Sequence, residues 1–451
     1  MLSFIFIKTI NMALNGVRGL VLASLLGPQG YGVFGTLIVL QQYSSYLALG
    51  MREGVAIKLA RTGDATQERE VIYSSALAWG ACVGVLLLLV VFALRFQLSS
   101  FADYLGWVWL ISLLGILNEI LININRHEHK LRKVASVEFV YTAVSLLAIG
   151  ILWTQMTIRL ALIAMLAGLS IGVAWYLLTV RPISPRAVRP SAIGDLIKIG
   201  WLPAMFSAAT IVSNSIFVPM ANWMGLGEQV GLVVLANNLS VMLLFGLNTV
   251  AWALTSRSMQ RLHLAAAKTP AVPSREDLGD ILMRIGVVAA VLCALCSEIL
   301  FSRVMTEYAG ASVYVLYFCL FQSYALLLFS EANFLNVNSR IKPAIGGYVA
   351  MLVLIVGASL LMEDFLQLMQ FAVIAYFLLA LGITCYCRNH GLQVGDPAQR
   401  VAGLCFPAGC VAAHAALGSH GLIVLCAAVL ALLVFLNRHR MTEYFATRAA
   451  R

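Results

Sequence analysis

The opening of the chain decides the fold class, and its residues 8–34 read KTINMALNGVRGLVLASLLGPQGYGVF. Apolar residues dominate two runs, 4–26 and 31–50, and each run approaches the roughly 20 residues that a transmembrane helix needs. Only the turn Gly27-Pro28-Gln29-Gly30 separates the two runs. The pattern therefore predicts two consecutive membrane-spanning helices joined by a tight connection.

The rest of the chain continues this pattern. Hydrophobic types make up 61% of the 451 residues and charged types 11%, whereas a soluble domain carries about 25% charged residues. The mean hydropathy is +0.90. Such a chain cannot cover a water-facing surface with charge, which excludes soluble enzymes, coiled coils and disordered chains. The sequence predicts an all-α polytopic membrane protein with about 14 transmembrane helices and no folded soluble domain.

The predicted spans are 4–26, 31–50, 71–94, 101–124, 134–154, 159–180, 197–224, 230–255, 280–301, 311–336, 343–361, 366–386, 401–417 and 420–436. The last two are short. Charge predicts which side of the membrane each loop faces. With the N-terminus inside, 25 of the 30 Lys and Arg residues lie in the even-numbered loops and the C-terminal tail, and three lie in the odd-numbered loops. This split follows the positive-inside rule and predicts cytoplasmic N- and C-termini. It also explains the net charge of +10 through topology and anionic lipid, so nucleic-acid binding is not expected.

Two landmarks recur in the same order along the chain, which indicates a duplicated bundle. The turn 27–33 resembles the turn 225–232, and the Asn-x-Asn pattern at 123–125 recurs at 336–338. Parallel repeats of this kind place a substrate site between the two halves, here in a central cavity. The predicted organisation is an N-terminal six-helix bundle at 1–180, a cytoplasmic linker at 181–198, a C-terminal six-helix bundle at 199–387, and two extra helices with a basic tail at 388–451.

The sharpest functional pattern is a polar stripe in the first span, formed by Lys8, Asn11, Asn15 and Arg18. Spacings of 3, 4 and 3 residues place these side chains on one helix face over about 15 Å. A cation at the membrane centre costs roughly 2.5–3.5 kcal/mol, and the span contains no Asp or Glu. We expect the stripe either to face a water-filled cavity that admits an anion, or to be neutralised. In the second case Lys8 reaches the cytoplasmic interface and Arg18 packs against a carboxylate of another span.

Other polar groups have two interpretations each. Arg52 either pairs with the adjacent Glu53 or lines the cytoplasmic mouth and receives an anion. Glu119 and Glu331 are the deepest carboxylates and occupy near-equivalent places in the two halves. They either bind a coupling ion or pair structurally with a cation, and interfacial placement is the third option.

The seventh span and the buried amides also leave alternatives open. Pro203 and Pro219 make this span either a bending element or an ordinary kinked helix. Amides at depth, among them Asn237 and Asn238, suit sugar hydroxyls and equally suit interhelical hydrogen bonds.

No cofactor or metal site is expected. Cys293 and Cys296 are surrounded by apolar residues with no His nearby, which indicates small buried hydrophobes rather than metal ligands. The chain has no Gly-x-x-x-x-Gly-Lys-Ser/Thr pattern, so ATP hydrolysis is not expected. The predicted outside loops are too short for a catalytic domain, and the chain is predicted not to be an enzyme.

Three segments carry a family resemblance: the first span with Arg18, the segment Leu26-Gly27-Pro28-Gln29-Gly30-Tyr31-Gly32-Val33-Phe34, and the run from Leu49 to Arg61 that includes Arg52. They resemble the N-terminal signature of polysaccharide flippases, the Wzx-type transporters of the MOP superfamily. That superfamily also contains lipid II flippases and MATE multidrug exporters. The specific match covers about 60 residues.

The resemblance implies a V-shaped pair of bundles that works by alternating access. It implies translocation of an undecaprenyl-diphosphate-linked oligosaccharide from the cytoplasmic to the outer leaflet of the bacterial inner membrane, for surface polysaccharide biosynthesis. A diphosphate-binding role is implied for Arg18 and Arg52, and Lys8, Asn11 and Asn15 complete the predicted substrate-binding set. The expected partners are the lipid-linked oligosaccharide, membrane lipids, and the polysaccharide polymerase and assembly proteins.

The alternative function is an ion-coupled multidrug or amphiphile exporter of the MATE type. Export of cations would need an acidic cavity, whereas the first span is cationic. MATE proton exporters often carry an Asp in this span, and none is present here.

Overall fold

A computed structural model describes residues 2–62, 66–94, 101–127, 130–180, 183–242, 293, 296–337 and 340–390. Within these ranges the secondary structure is helical and contains no strand. The helices are α1 Leu2–Ser44, α2 Met51–Thr62, α3 Thr66–Leu94, α4 Leu105–His127, α5 Leu131–Ile151, α6 Ile158–Thr179, α7 Pro190–Ser215, α8 Phe217–Trp223, α9 Gln229–Met242, α10 296–303, α11 Ala311–Val337, α12 Lys342–Ser359 and α13 Phe365–Asn389.

Eight helices of the described part are long and apolar enough to cross a membrane. They include α1, whose two halves count as one element. The helices α3 to α6, α12 and α13 each begin and end within a few residues of a predicted span, or overlap it almost fully. The structure thus confirms an all-α, multi-pass membrane protein. Most of the predicted ninth span, and the two predicted spans after residue 400, lie outside the described residues.

The first two predicted spans are the two halves of α1, and Gly27 separates them. Its backbone has φ 63° and ψ 173°, which is not helical, and Pro28 follows it. Glycine adopts a positive φ without steric cost, and proline readily starts the second half because its missing N–H needs no partner there. The predicted tight turn is therefore present, although the second half ends at Ser44 rather than at residue 50.

A short helix follows this second half, where the sequence predicted the loop between the second and third spans. After a 3₁₀ turn at Ser45–Ala48, Leu49 and Gly50 adopt φ 51° and 85°, and α2 then begins at Met51. α2 contains the charged residues of the run 51–62 and is not one of the membrane-crossing candidates. The reversal at Leu49 and Gly50 places Arg52 in the first turn of α2.

The predicted seventh span is divided at Ile216 into α7 and α8. Pro203 lies inside α7 without ending it, whereas the break comes three residues before Pro219. Since Pro219 has no backbone N–H, the carbonyl of Ser215 loses its helical partner. Ile216 itself stays in the right-handed helical region, with φ −60° and ψ −26°. The segment is therefore one bent element and not a reversal of the chain.

Glycines bring the two halves of the chain into close contact at both ends of the second half of α1. Beside the Gly27 turn, a Cβ on Gly32 would lie 2.9 Å from the nitrogen of Gly231, and a Cβ on Gly231 would lie 1.9 Å from the carbonyl oxygen of Pro28. At the other end, a Cβ on Gly200 of α7 would lie 1.9 Å from the carbonyl oxygen of Gly50. The turns 27–33 and 225–232, singled out as repeats, thus pack directly against each other.

Candidate functional site

A cavity of about 370 Å³ lies between the first half of α1 and α9, and the predicted polar stripe lines it. Its described polar wall consists of Lys8, Asn11, Asn15, Arg18, Gln42, Asn237 and Asn238, together with the hydroxyl-bearing Tyr31. Apolar residues complete it, among them Leu22, Phe34, Val39, Met165 and Leu239. The stripe therefore faces a cavity, as the first interpretation predicted, and this wall joins residues about 230 positions apart in sequence.

Lys8 lies on the cavity wall and is also neutralised. Its ammonium forms an ion pair with the carboxylate of Glu138 on α5, and each side chain is 17% exposed. The second interpretation, neutralisation, is therefore correct for Lys8, although a carboxylate and not the cytoplasmic interface provides it.

Arg18 has no such partner among the described residues, since none of their carboxylates lies within ion-pair distance of its guanidinium. Its Nη1 donates to the hydroxyl of Tyr141 at 3.3 Å, and its guanidinium carbon lies 5.6 Å from the centre of the Tyr141 ring. A cation–π contact holds the side chain without cancelling its charge, so Arg18 presents a positive charge to the cavity.

The two asparagines of the stripe have mainly structural contacts. Nδ2 of Asn15 donates to the backbone carbonyl of Asn11 at 3.0 Å and to the hydroxyl of Thr142 on α5 at 3.3 Å. Asn11 is 7% exposed. Asn15 thus connects α1 to α5 and also belongs to the cavity lining.

The opposite wall contains two neighbouring amides of α9 with different roles. Nδ2 of Asn238 donates to the hydroxyl of Tyr31 at 2.9 Å, an interhelical bond between the two halves. Asn237 is 9% exposed, and no described residue provides a hydrogen-bond partner for its Oδ1. The sequence predicted only that both amides lie at membrane depth. It could not distinguish the bonded amide from the other, because hydropathy carries no information about hydrogen-bond partners.

Arg52 does not line this cavity and belongs to a separate cluster of charges. Its Nε donates to Oε1 of Glu53 at 2.9 Å and its Nη1 to Oε2 of Glu119 at 3.3 Å, beside a recess of about 20 Å³. Burial lowers the pKa of Arg52, but the carboxylates of Glu119 and Glu53 outweigh it and raise the pKa above its ordinary value. The Arg52–Glu53 ion pair is present, and Glu119 extends it.

The two deep carboxylates occupy different environments despite their similar positions in the repeats. The side chain of Glu119 is 42% exposed and pairs with Arg52. Glu331 is fully buried on α11, where the hydroxyl of Thr384 on α13 donates to its Oε1 at 2.8 Å. Neither residue borders the cavity. In the ranges that the structure describes, no group of three or more His, Cys, Asp or Glu side chains is arranged to hold a metal ion.

The net electrostatic character of the cavity follows from these contacts. Its described lining contains two cationic side chains and no Asp or Glu. With Lys8 offset by Glu138, Arg18 carries the uncompensated charge. A half-apolar cavity with one such guanidinium suits an anionic group attached to an apolar body, since Arg binds phosphate and carboxylate oxygens in a bidentate manner.

No family model and no curated protein sequence matches the chain. Solved structures do match it. An inward-facing multidrug resistance MATE family transporter of the MOP superfamily is 14% identical with a TM-score of 0.59, over 86% of this chain and 94% of that one. The MATE multidrug transporter DinF-BH, solved as a complex, is 17% identical with a TM-score of 0.58 and the same coverage.

A further match is a MOP superfamily transporter from Pyrococcus furiosus, described by a reverse polarity of its binding pocket that suggests a different function. It is 14% identical, with a TM-score of 0.54, over 86% of this chain and 94% of that chain. At these identities the likeness shows the fold. The chain thus has the fold of MATE transporters of the MOP superfamily, and these structural neighbours are transporters and not enzymes.

Proposed function

We propose that this chain is a flippase that moves a polyprenyl-diphosphate-linked oligosaccharide from the cytoplasmic to the outer leaflet of the bacterial inner membrane by alternating access. The observation that carries the proposal is the charge of the cavity, whose described lining includes Arg18 and Lys8 but no carboxylate. The transporter fold supports movement of a molecule across the membrane, and the cavity charge supports an anion as that molecule.

Arg18 is the proposed primary site for the diphosphate. A guanidinium at membrane depth costs a few kcal/mol, and a phosphate that binds it in a bidentate manner offsets this cost. Tyr141 fixes the guanidinium from one side through its ring and its hydroxyl. The apolar part of the wall suits the isoprenoid chain next to the diphosphate.

Lys8 is the proposed second anion-binding site on the same helix face. It lies ten residues before Arg18, which corresponds to about 15 Å along the helix, so the two cations mark successive positions along one helix face. An anion that replaces Glu138 as the partner of Lys8 would then pass to Arg18. Arg52, which the family resemblance also implies as a diphosphate ligand, is engaged by two carboxylates outside the cavity and is not part of this route.

The cytoplasmic placement of both termini, which the basic loops support, and the inner-membrane location, which the family resemblance implies, belong to the same proposal. A polymerase and other assembly proteins that consume the flipped oligosaccharide are the proposed partners. Glu331, which is fully buried in the second half, and Glu119, which pairs with Arg52, remain the two proposed coupling residues.

The second candidate is a MATE-type exporter of drugs or other amphiphiles, and the fold likeness favours it as much as it favours a flippase. Two of the similar structures are described as multidrug transporters. The charge of the cavity opposes export of cations by this chain. The Pyrococcus furiosus transporter, with its reversed pocket polarity, indicates that pocket charge varies within this fold.

The test is replacement of Arg18 by Ala in cells that make surface polysaccharide. We expect lipid-linked oligosaccharide to accumulate on the cytoplasmic leaflet and surface glycan to fall at least tenfold, while Arg18→Lys retains part of the activity. Arg159→Ala is the matched control, because Arg159 is 58% exposed and pairs with Asp103 away from the cavity. Normal surface glycan in Arg18→Ala, at normal protein level, contradicts the diphosphate role. Unchanged glycan together with lost drug resistance supports the exporter.

A further inference from the structure

An apolar groove of about 390 Å³ lies between α12 and α13, apart from the cavity that contains Arg18. Met351 and Ala375 form its buried floor, whereas Leu354 and Leu378 at its rim are 54% and 55% exposed. The described linings of the groove and of the Arg18 cavity have no residue in common. The groove is therefore a separate site that opens at the surface of the bundle.

Small residues create the groove. A Cβ on Gly347 would lie 2.8 Å from Cδ1 of Leu379, so α12 and α13 pack closely at this point. Gly382 also lines the groove, but a Cβ there would have nothing within 4 Å, so the space beside it is open. The described lining is otherwise apolar, except for the hydroxyl group of Tyr386. An aliphatic chain suits this surface, because it buries no polar atom there.

The groove has about the length of one membrane leaflet. On α12 its lining extends from Pro343 to Leu354, which corresponds to about 16 Å along the helix. On α13 it extends over the same number of residues, from Ala375 to Tyr386. The hydrocarbon core of a bilayer is roughly 30 Å thick, so the groove covers about half of it. This length suits one acyl chain of a phospholipid, whereas a polyprenyl chain is far longer.

Charge distinguishes the two ends of the groove. At one end, Arg340 donates its backbone N–H to the carbonyl of Leu335, a lining residue, at 2.8 Å. Lys342 directly precedes Pro343, which also lines the groove. Both cations are exposed, and no carboxylate of a described residue lies within ion-pair distance of either. Beyond the other end, the loop 360–364 contains two acidic residues and no cation. An anionic head group is therefore favoured at the first end and disfavoured at the second.

We propose that this groove binds an anionic phospholipid, with one acyl chain between α12 and α13 and the phosphate beside Arg340 and Lys342. The site goes beyond the proposed function, because it holds a resident membrane lipid and not the molecule that is moved. Basic pockets between transmembrane helices at the cytoplasmic side bind anionic lipid head groups. The loop charges predict that side for Arg340 and Lys342.

The experiment measures binding of two phospholipids to the purified full-length protein in detergent, by native mass spectrometry. The probes are phosphatidylglycerol and phosphatidylcholine with the same acyl chains. We expect the wild-type protein to bind phosphatidylglycerol about tenfold more tightly than phosphatidylcholine. Replacing Arg340 and Lys342 together by Gln should abolish this preference and leave binding of phosphatidylcholine unchanged. The matched control replaces Arg186 and Lys198 by Gln, two exposed cations outside the groove, and should retain the preference.

Filling the groove tests the position of the acyl chain. Gly382→Leu places a side chain in open space of the groove, so both lipids should bind about tenfold more weakly while the ratio of their affinities stays at the wild-type value. Ala350→Leu, on the facing helix, is a second variant with the same expected result. The control is Gly150→Leu, which also has nothing within 4 Å of the new Cβ but lies outside the groove, and it should bind both lipids normally.

Equal affinity of the wild-type protein for the two lipids overturns the inference, and so does an unchanged preference in the Arg340 and Lys342 variant or wild-type binding by both groove-filling variants. Arg18→Ala should bind phosphatidylglycerol normally, since Arg18 lines the other cavity. Loss of this binding in Arg18→Ala, or displacement of phosphatidylglycerol by an equal amount of polyprenyl diphosphate, would assign the lipid to the transport route and overturn the separate site. The proposed function is tested by surface glycan and stands or falls independently of these results.

Discussion

Replacing Glu138 by Gln removes the carboxylate that neutralises Lys8 and keeps the size of the side chain. Breaking a fully buried ion pair costs about 3–5 kcal/mol, whereas exposed pairs contribute about 0–1 kcal/mol. Both side chains are 17% exposed, so the pair is closer to the buried case than to the exposed one. We expect Glu138→Gln to lower the stability of the protein by about 2 kcal/mol.

The assay is thermal unfolding of the purified protein in detergent, in a double-mutant cycle with Lys8→Met. For a domain of 150–250 residues, 1 kcal/mol corresponds to about 2–4 °C in Tm, and the larger size of this chain reduces the shift. Glu138→Gln should therefore lower the Tm by about 3 °C. Lys8→Met should also lower it, because Glu138 is then left uncompensated, whereas the double variant should return to within about 1 °C of the wild type, since no unpaired charge is left.

The exposed pair Arg159–Asp103 provides the control for this cycle. Its side chains are 58% and 71% exposed, so Asp103→Asn should change the Tm by less than about 1 °C. Additive losses in the Lys8 and Glu138 variants would refute the reasoning, because additivity means that the two residues do not compensate each other.

Two further predictions concern the glycine contact and the deep carboxylates. Gly200→Ala places a Cβ 1.9 Å from the carbonyl oxygen of Gly50, so α2 and α7 must separate, and we expect the Tm to fall by at least several degrees. The control is Gly194→Ala, which has nothing within 4 Å of the new Cβ and should leave the Tm unchanged or slightly higher. Glu331→Gln and Glu119→Gln should alter the pH or sodium dependence of transport measured in vesicles, and Glu119→Gln should also change protein stability; identical ion dependence of all three proteins would remove both as coupling residues.

The helical architecture and the polar stripe were predictable from the sequence because both depend on local geometry. A run of about 20 apolar residues is sufficient to define a membrane helix. Spacings of 3 and 4 residues place Lys8 and Arg18 on one face whatever surrounds the helix. The turn at Gly27 was equally local, since glycine followed by proline disfavours continuation of the helix.

The helix α2 and its packing were not predictable in the same way. The predicted second span ends at residue 50 and leaves the following residues as a loop, whereas α2 forms at Met51–Thr62 directly after the positive φ of Leu49 and Gly50 turns the chain. Leucine rarely adopts this conformation, and only the packing of Gly50 and Gly54 against α7 explains why the chain turns at this point. As a consequence, Arg52 lies beside Glu119 and away from the cavity.

The sequence by itself therefore determined the membrane helices and the face on which the charges of the first span lie. Only the tertiary structure decided which charges are compensated, because ion pairs such as Lys8–Glu138 and Arg52–Glu119 join residues on different helices. The same holds for Asn237 and Asn238, two adjacent identical residues that both border the cavity, of which Asn238 bonds to the hydroxyl of Tyr31. Local spacing fixes the direction of a side chain relative to its own helix, whereas its partner is fixed by the neighbouring helices against which that side chain packs.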